Sequence, residues 1–308
     1  MPIVLQETLR GLLYAPFYAA LALEAYREEG VDVRFVSAPR PSEAARGLFD
    51  GTVDVAWGGP MRVMETYEKR PDCDLVCFCE VVTRDPFSLV GRGRRPDFQL
   101  ADLMGATVAT VSEVPTPWLC LQEDMRRAGL DPDALHRVSD RSMVENLQAL
   151  REGKIAAAQL FEPFIEEALA DGSCAIWQAA AERGPTSYTT FYARRPLLAD
   201  RRGEMKALVR AIYRTQKWLH AAGATEIARV IAQFFRDQPQ HRLAAAIDRY
   251  KRQGIWGRNP RLPKAGYDRL RAGLVSGGFV ARGTDYAVAV DNTLAEQVID
   301  ENPAGPTT

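Results

Sequence analysis

Leu48-Phe49-Asp50-Gly51-Thr52-Val53-Asp54-Val55-Ala56, with a helix opening at Pro60, is echoed later by Leu150-Arg151-Glu152-Gly153-Lys154-Ile155-Ala156-Ala157-Ala158 with Pro163. Each copy reads as a helix end, a glycine stop, a strand of small and β-branched residues, and a proline starting the next helix. Upstream of each copy lies a further parallel: Glu29-Gly30-Val31-Asp32 in the first, Ala128-Gly129-Leu130-Asp131 in the second. Two copies do not make a solenoid, whose core needs at least three. They make two similar α/β units.

The flanking segments fit this reading. A helix is expected over about 16–29, with Pro16 in its first turn, Gly30 at its stop, and Phe17, Leu21 and Ala25 on one face. Val31, Val33 and Phe35 alternate with Asp32 and Arg34, the pattern of a half-buried strand. A second helix opens at Pro41-Ser42 and ends near Asp50-Gly51. The stretch 75–82 is apolar at most positions and reads as a central strand. The second unit starts with a strand at 107–111. Its helix from about Pro117 places Trp118, Leu121, Met125 and Ala128 at helical spacing, and Ser142-Met143-Val144-Glu145 forms a capping box. Strands alternating with helices predict mainly parallel sheets with right-handed crossovers.

Two segments read as crossings between lobes: Thr83-Arg84-Asp85-Pro86, and Gly184-Pro185-Thr186-Ser187 before the β-rich 188–192. The resulting division is 1–85 plus 190–308 for one lobe and 86–189 for the other. Beyond residue 200 no strong strand pattern remains. Helices are expected at about 204–222, 224–236, 241–253 and 264–276, covering a sheet, and the Pro/Gly/Thr tail after Asn302 reads as disordered.

Bulk properties narrow the function. The 308 residues are 46% hydrophobic and 26% charged with a net charge of −1, so no whole-chain field favours nucleic acid or an anionic membrane. No run approaches the roughly 18 apolar residues of a membrane span. Met1 leads directly into strand-like Pro2-Ile3-Val4-Leu5. The reading is therefore a cytoplasmic chain as the sequence stands, or a periplasmic one if a leader has been removed. Five cysteines do not make a disulfide framework. Cys73, Cys77 and Cys79 lack a zinc-ligand spacing and read as core residues. His136, His220 and His241 have no ligating partners nearby, so no metal and no cofactor is expected.

Open parallel sheets bind ligands beyond the carboxyl ends of their strands, where helix N-termini offer free N–H groups. Two such sheets face to face make a cleft. Within the strand-end loops, Trp57 is a candidate to stack on a planar ligand, and Gly58 and Gly59 to admit it close to the backbone. Tyr14 precedes a helix proline. Arg10 and Arg84 are candidates to pair with a carboxylate, sulfonate or phosphate. Ser112 and Thr116 flank a helix start, and Glu162 sits where a strand meets a helix. No residue forms a catalytic constellation; an enzyme on this fold would draw its acid/base groups from Glu162, Glu113 and Cys120.

The chain resembles the nitrate/sulfonate/taurine-type solute-binding proteins of ABC transporters and the related thiamine-pyrimidine synthase proteins. The resemblance rests on Gly11-Leu12-Leu13-Tyr14-Ala15-Pro16-Phe17-Tyr18, Glu28-Glu29-Gly30-Val31-Asp32-Val33, Gly51-Thr52-Val53-Asp54-Val55-Ala56, Leu100-Ala101-Asp102-Leu103-Met104-Gly105 and Gly153-Lys154-Ile155-Ala156-Ala157-Ala158 with Glu162-Pro163. It implies the two-lobed periplasmic-binding-protein type II fold and a small organic ligand in the cleft, pyrimidine-like, aromatic acid or sulfonate. It also implies delivery to an ABC transporter permease as partner. The alternative it carries is a cytoplasmic enzyme, synthase-like or a lyase. The synthase places a histidine just after its third strand; this chain has Gly58-Gly59-Pro60-Met61-Arg62 there.

Overall fold

The computed structural model describes residues 1–306. Its strands, in chain order, are β1 (Ile3–Glu7), β2 (Val33–Ser37), β3 (Val55–Gly58), β4 (Leu75–Val82), β5 (Ser88–Arg92), β6 (Thr107–Ala109), β7 (His136–Val138), β8 (Ala157–Leu160), β9 (Cys174–Ala179) and β10 (Thr189–Arg194). They form two five-stranded sheets, ordered β2-β1-β3-β10-β4 and β7-β6-β8-β5-β9. The two orders are the same topology. In each, the first strand of a unit lies between its second and third, and the strand beside the third arrives from the crossing. That strand is the antiparallel one: β10 against β3 and β4, and β5 against β8 and β9. The duplicated sequence pattern is thus a duplicated sheet. The chain is an α/β protein with a two-lobed architecture.

The crossings run side by side. Thr186 and Tyr188 donate backbone hydrogen bonds to Thr83 O and Val82 O (2.8 and 2.9 Å), and Ala180 N donates to Phe87 O (3.0 Å).

Five sequence expectations change, the first being the helix expected from Pro41-Ser42 to Asp50-Gly51, which is a 3₁₀ turn, Pro41–Glu43, followed by a separate short helix, Arg46–Asp50. The stretch 75–82 is a strand, but at a sheet edge rather than the centre. All its residues are nonetheless buried, because later chain covers the edge. Glu80 N bonds Pro260 O, Thr83 N bonds Ile255 O and Asp291 N bonds Cys77 O. Apolar composition reports burial, and it cannot distinguish a neighbouring strand from a covering loop. The helix expected at 16–29 breaks into Ala15–Ala22 and Ala25–Glu28, because Glu24 adopts a left-handed conformation (φ 53°). The helix expected at 224–236 stops at Ile231 and tightens into a 3₁₀ turn, Ala232–Phe234. The tail is ordered through 306 by Lys217 Nζ on Pro303 O (2.6 Å) and Arg214 Nε on Ala304 O (2.9 Å); residues 307–308 lie outside the described residues. The long helices Arg202–Ala221, Gln240–Gln253 and Lys264–Ser276 fall close to their expected places. No helix of the described residues is long and apolar enough to cross a membrane.

Candidate functional site

A cavity lies between the sheets, beyond the carboxyl ends of β1, β3, β6 and β8. Its volume is about 50 Å³, within a void of about 540 Å³ that opens to solvent. It is lined by Thr8, Leu9, Leu13, Tyr14, Pro41, Gly59, Met61 and Arg62 from the first unit, Val114, Thr116 and Phe161 from the second, and Phe87 and Tyr188 from the crossings.

Two helices of ten and twelve residues start at this cavity. Gly59 is the N-cap of Pro60–Lys69, and Thr116 opens Thr116–Arg127. Neither start is capped by a side chain, so both leave N–H groups and partial positive charge at the cleft. Gly59 also sits where a Cβ would lie 3.2 Å from Tyr188 O, so the close approach of β3 and the second crossing favours glycine there.

Arg62, in the first turn of its helix, adds a guanidinium ion-paired with Glu65. Its residue is 9% exposed. Its Nη1 donates to Glu65, and among the described residues no protein acceptor engages its Nε or Nη2. Around it stand hydroxyls short of partners. Tyr14 Oη and Thr8 Oγ1 share a 3.2 Å hydrogen bond. Tyr188 Oη lines the cavity unpartnered, and Tyr192 Oη and Thr189 Oγ1, buried close by, are unpartnered too. Burial pushes the Tyr14 phenol up to about 12; nearby Thr8 and Thr189 oppose this, though Thr189 makes no hydrogen bond of good geometry. Burial raises Tyr188 and Tyr192 further, and Arg62 pulls Tyr192 back. These phenols stay neutral and can donate. The rest of the wall is apolar, with Phe87 and Phe161 edge-to-face at 5.2 Å.

Of the residues singled out in the sequence, Tyr14, Gly59 and Thr116 meet at this cavity. The others are placed elsewhere. Trp57 is fully buried, with Phe17 and Phe35 stacked near-parallel to it at 4.4 and 5.3 Å and Tyr18 at its edge. It is a core residue with no face free for a ligand. Gly58 lies behind the cavity wall, where a Cβ would meet Thr8 Cγ2 at 2.8 Å. Arg10 is held by buried Glu7 (2.6 Å), which also accepts from Tyr18 Oη (2.6 Å) and Ser37 Oγ (2.7 Å). Arg84 reaches across the crossings to Ala181 O (3.4 Å). Ser112 is exposed and bonds Glu113. Glu162 is fully buried, paired with Arg249, bonded by Glu166 N at Oε2 (3.0 Å), and its own N–H reaches Tyr250 Oη (2.9 Å). The remaining candidate acid/base groups are also committed. Glu113 accepts from Met143 N (3.0 Å), and Cys120 is buried, its thiol pushed up to about 12 by desolvation. Among the described residues no cluster of His, Cys, Asp or Glu is arranged to hold a metal.

Of the nine ligand-binding candidates singled out in the sequence, Tyr14, Gly59 and Thr116 line this cavity and the other six do not. Arg62 carried a usable signal. A helix opening at Pro60 after a strand end presents its first-turn side chains to the cleft, and Arg62 is the one charged residue among them.

The chain is 24% identical over 302 residues to YtlA of Bacillus subtilis (strain 168), named for a binding role, covering 96% of this chain and 89% of that one. Its structure is similar to the alkanesulfonate-binding protein SsuA of Xanthomonas axonopodis pv. citri bound to MOPS (TM-score 0.71, 14% identity, 95% and 98% of the two chains). It is equally similar to a cysteine-to-serine mutant of DszB in complex with biphenyl-2-sulfinic acid (TM-score 0.72, 12% identity, 98% and 100%), DszB being described as a desulfurization enzyme. These likenesses establish a shared fold across binding proteins and an enzyme. The model of the family described as NMT1/THI5 like matches residues 13–223, over two-thirds of the sequence, and the chain belongs to that family.

Proposed function

We propose that this protein is a solute-binding protein that closes two lobes, 1–85 with 190–308 and 86–189, around a small organic anion with an apolar body, for delivery to an ABC-type permease. One observation carries the reading. Two uncapped helix starts from opposite units converge on one cavity with Arg62 and neutral, partner-short hydroxyls, while the remaining wall is apolar. A carboxylate or sulfonate would take the free Arg62 donors and the Tyr14 and Tyr188 hydroxyls. An aryl or alkyl body would lie against Phe87, Phe161, Leu13 and Met61. The wall's chemistry is that of recognition: hydroxyls, a guanidinium and apolar faces. The space of about 50 Å³ suits a few waters, so a ligand of several heavy atoms requires the lobes to part along the crossings. The names of SsuA and YtlA agree with a binding role.

Thermal unfolding against benzoate, alkyl sulfonates, pyrimidines and pyridoxal phosphate, with mass analysis of each compound afterwards, tests this. A ligand at 100 times its Kd adds about 2.7 kcal/mol and raises the midpoint by several degrees. The expected result is a shift for aryl or alkyl anions, each recovered intact, with affinity falling at least tenfold in Arg62→Gln, as for one lost hydrogen bond to a charged group. An equal shift in Arg62→Gln removes the anion reading, and a chemically altered compound turns the protein into an enzyme.

A further inference from the structure

The second sheet carries another cavity, of about 220 Å³, on the far side of Phe87 from the cleft, between β5, β8 and β9 and the helix Thr116–Arg127. Its polar lining combines the carboxylates of Asp124 and Glu182 with the Arg183 guanidinium, the amides of Gln159 and Gln178 and the Ser88 hydroxyl. Ser88, 1% exposed, and Gln159, 4% exposed, both border it, and Ser88 Oγ and Gln159 Oε1 have no protein partner. The Gln159 amide is fixed in direction, because its Nε2 donates to Pro117 O (2.9 Å); the unsatisfied atom is therefore the oxygen. A buried polar atom left without a partner costs about 1–3 kcal/mol, so the Gln159 oxygen asks for a donor and the Ser88 hydroxyl, which can accept or donate, asks for a partner.

The charges point the same way. Arg183 faces the cavity, but two carboxylates already hold it: Asp85 from the first crossing at 2.8 Å and Asp124 at 2.6 Å. Both contacts from Arg183 to Asp124 fall on Oδ2. Of the charged residues that border this cavity, the carboxylates of Asp124 and Glu182, the latter at the exposed rim, outnumber the Arg183 guanidinium by one, while Arg127 and Arg269 lie with Asp124 around the neighbouring cavity. A ligand with N–H donors and positive charge would satisfy the acceptors and the field together.

We propose that this cavity is a second ligand site, for a small organic cation bearing N–H groups, a primary ammonium or a guanidinium. The site is independent of the anion cleft. It joins Ser88, at the start of β5 just after the first crossing, to Glu182 and Arg183, just before the second, so its occupant bridges the chain where it enters and leaves the second lobe.

Isothermal titration of the full chain with putrescine and agmatine tests it, with choline as a cation of similar charge that lacks N–H donors. The expected result is saturable binding of at least one amine at one site per chain and no binding of choline. Ser88→Ala and Glu182→Gln should each weaken the amine about tenfold or less, the size of one charge-assisted contact. Ser88 Oγ makes no hydrogen bond among the described residues and Glu182 is exposed, so neither variant should lower the unfolding midpoint. Absence of amine binding, choline binding as tightly as putrescine, or unchanged affinity in both variants overturns the proposal.

Discussion

Replacing Arg249 with Met isolates a buried carboxylate and gives a stability loss with a computable ceiling. Glu162 is fully buried, and Arg249 is the cation that neutralises it, while also bonding Glu166 at 2.7 Å. Burial pushes the Glu162 carboxyl up, and Arg249 pulls it back. Without Arg249, burying the ion would cost about 3–5 kcal/mol. The protein has the alternative of protonating Glu162. From a usual value of about 4.3, at about 1.36 kcal/mol per unit, that costs about 3.7 kcal/mol at pH 7 and about 1 kcal/mol at pH 5. The loss in Arg249→Met should therefore be about 3–4 kcal/mol at pH 7 and shrink towards about 1 kcal/mol at pH 5. The sign is that of a raised acid. Its favourable contribution is complete below about 4.3 and is lost as pH rises through the folded value. Urea unfolding followed by far-UV circular dichroism and tryptophan fluorescence at both pH values measures this. The double variant Arg249→Met/Glu162→Gln removes the charge and should recover most of the loss at pH 7. A loss under about 1 kcal/mol at pH 7, or one that does not shrink on acidification, refutes the reasoning that the Glu162 charge depends on Arg249.

Three further outcomes follow from the same geometry. Trp57→Ala should destabilise the fold by about 3–5 kcal/mol in urea unfolding, as a large core truncation; a variant of parental stability that has lost anion affinity would return Trp57 to the ligand site. Glu80 is buried with Oε1 unpartnered, and burial lifts its carboxyl to about 8, with nearby Ser187 and Thr83 opposing this. The stability it contributes is present below the usual glutamate range and lost as pH rises through about 8, so the unfolding midpoint should fall between pH 6.5 and 9, and Glu80→Gln should flatten that fall. Burial raises the thiols of Cys77, Cys79 and Cys120, leaving half-buried Cys73 the most accessible. A thiol-specific chromogenic reagent should label native protein at no more than one cysteine within minutes and unfolded protein at five, and rapid native labelling of several would contradict the burial.

The sequence alone determined the duplicated α/β units and the loops that meet at the cleft. Those properties are local: a glycine in the left-handed region at Gly51 and Gly153, a proline after each strand, and a capping box at Ser142 and Glu145 all act within a few residues. The tertiary structure decided what each loop side chain faces. Trp57 and Gly59 are two residues apart, yet one is enclosed by Phe17 and Phe35 and the other opens onto the cavity. By its position where a strand meets a helix Glu162 reads as a ligand group, yet in the fold it is a structural anion, because Arg249, far along the chain, packs over it. The edge position of β4 was hidden for the same reason, since its cover comes from residues beyond 250. Short-range periodicity records which positions are buried. Partners distant in sequence, brought together only by the packed fold, settle whether a buried or charged group serves the core, an ion pair or a ligand.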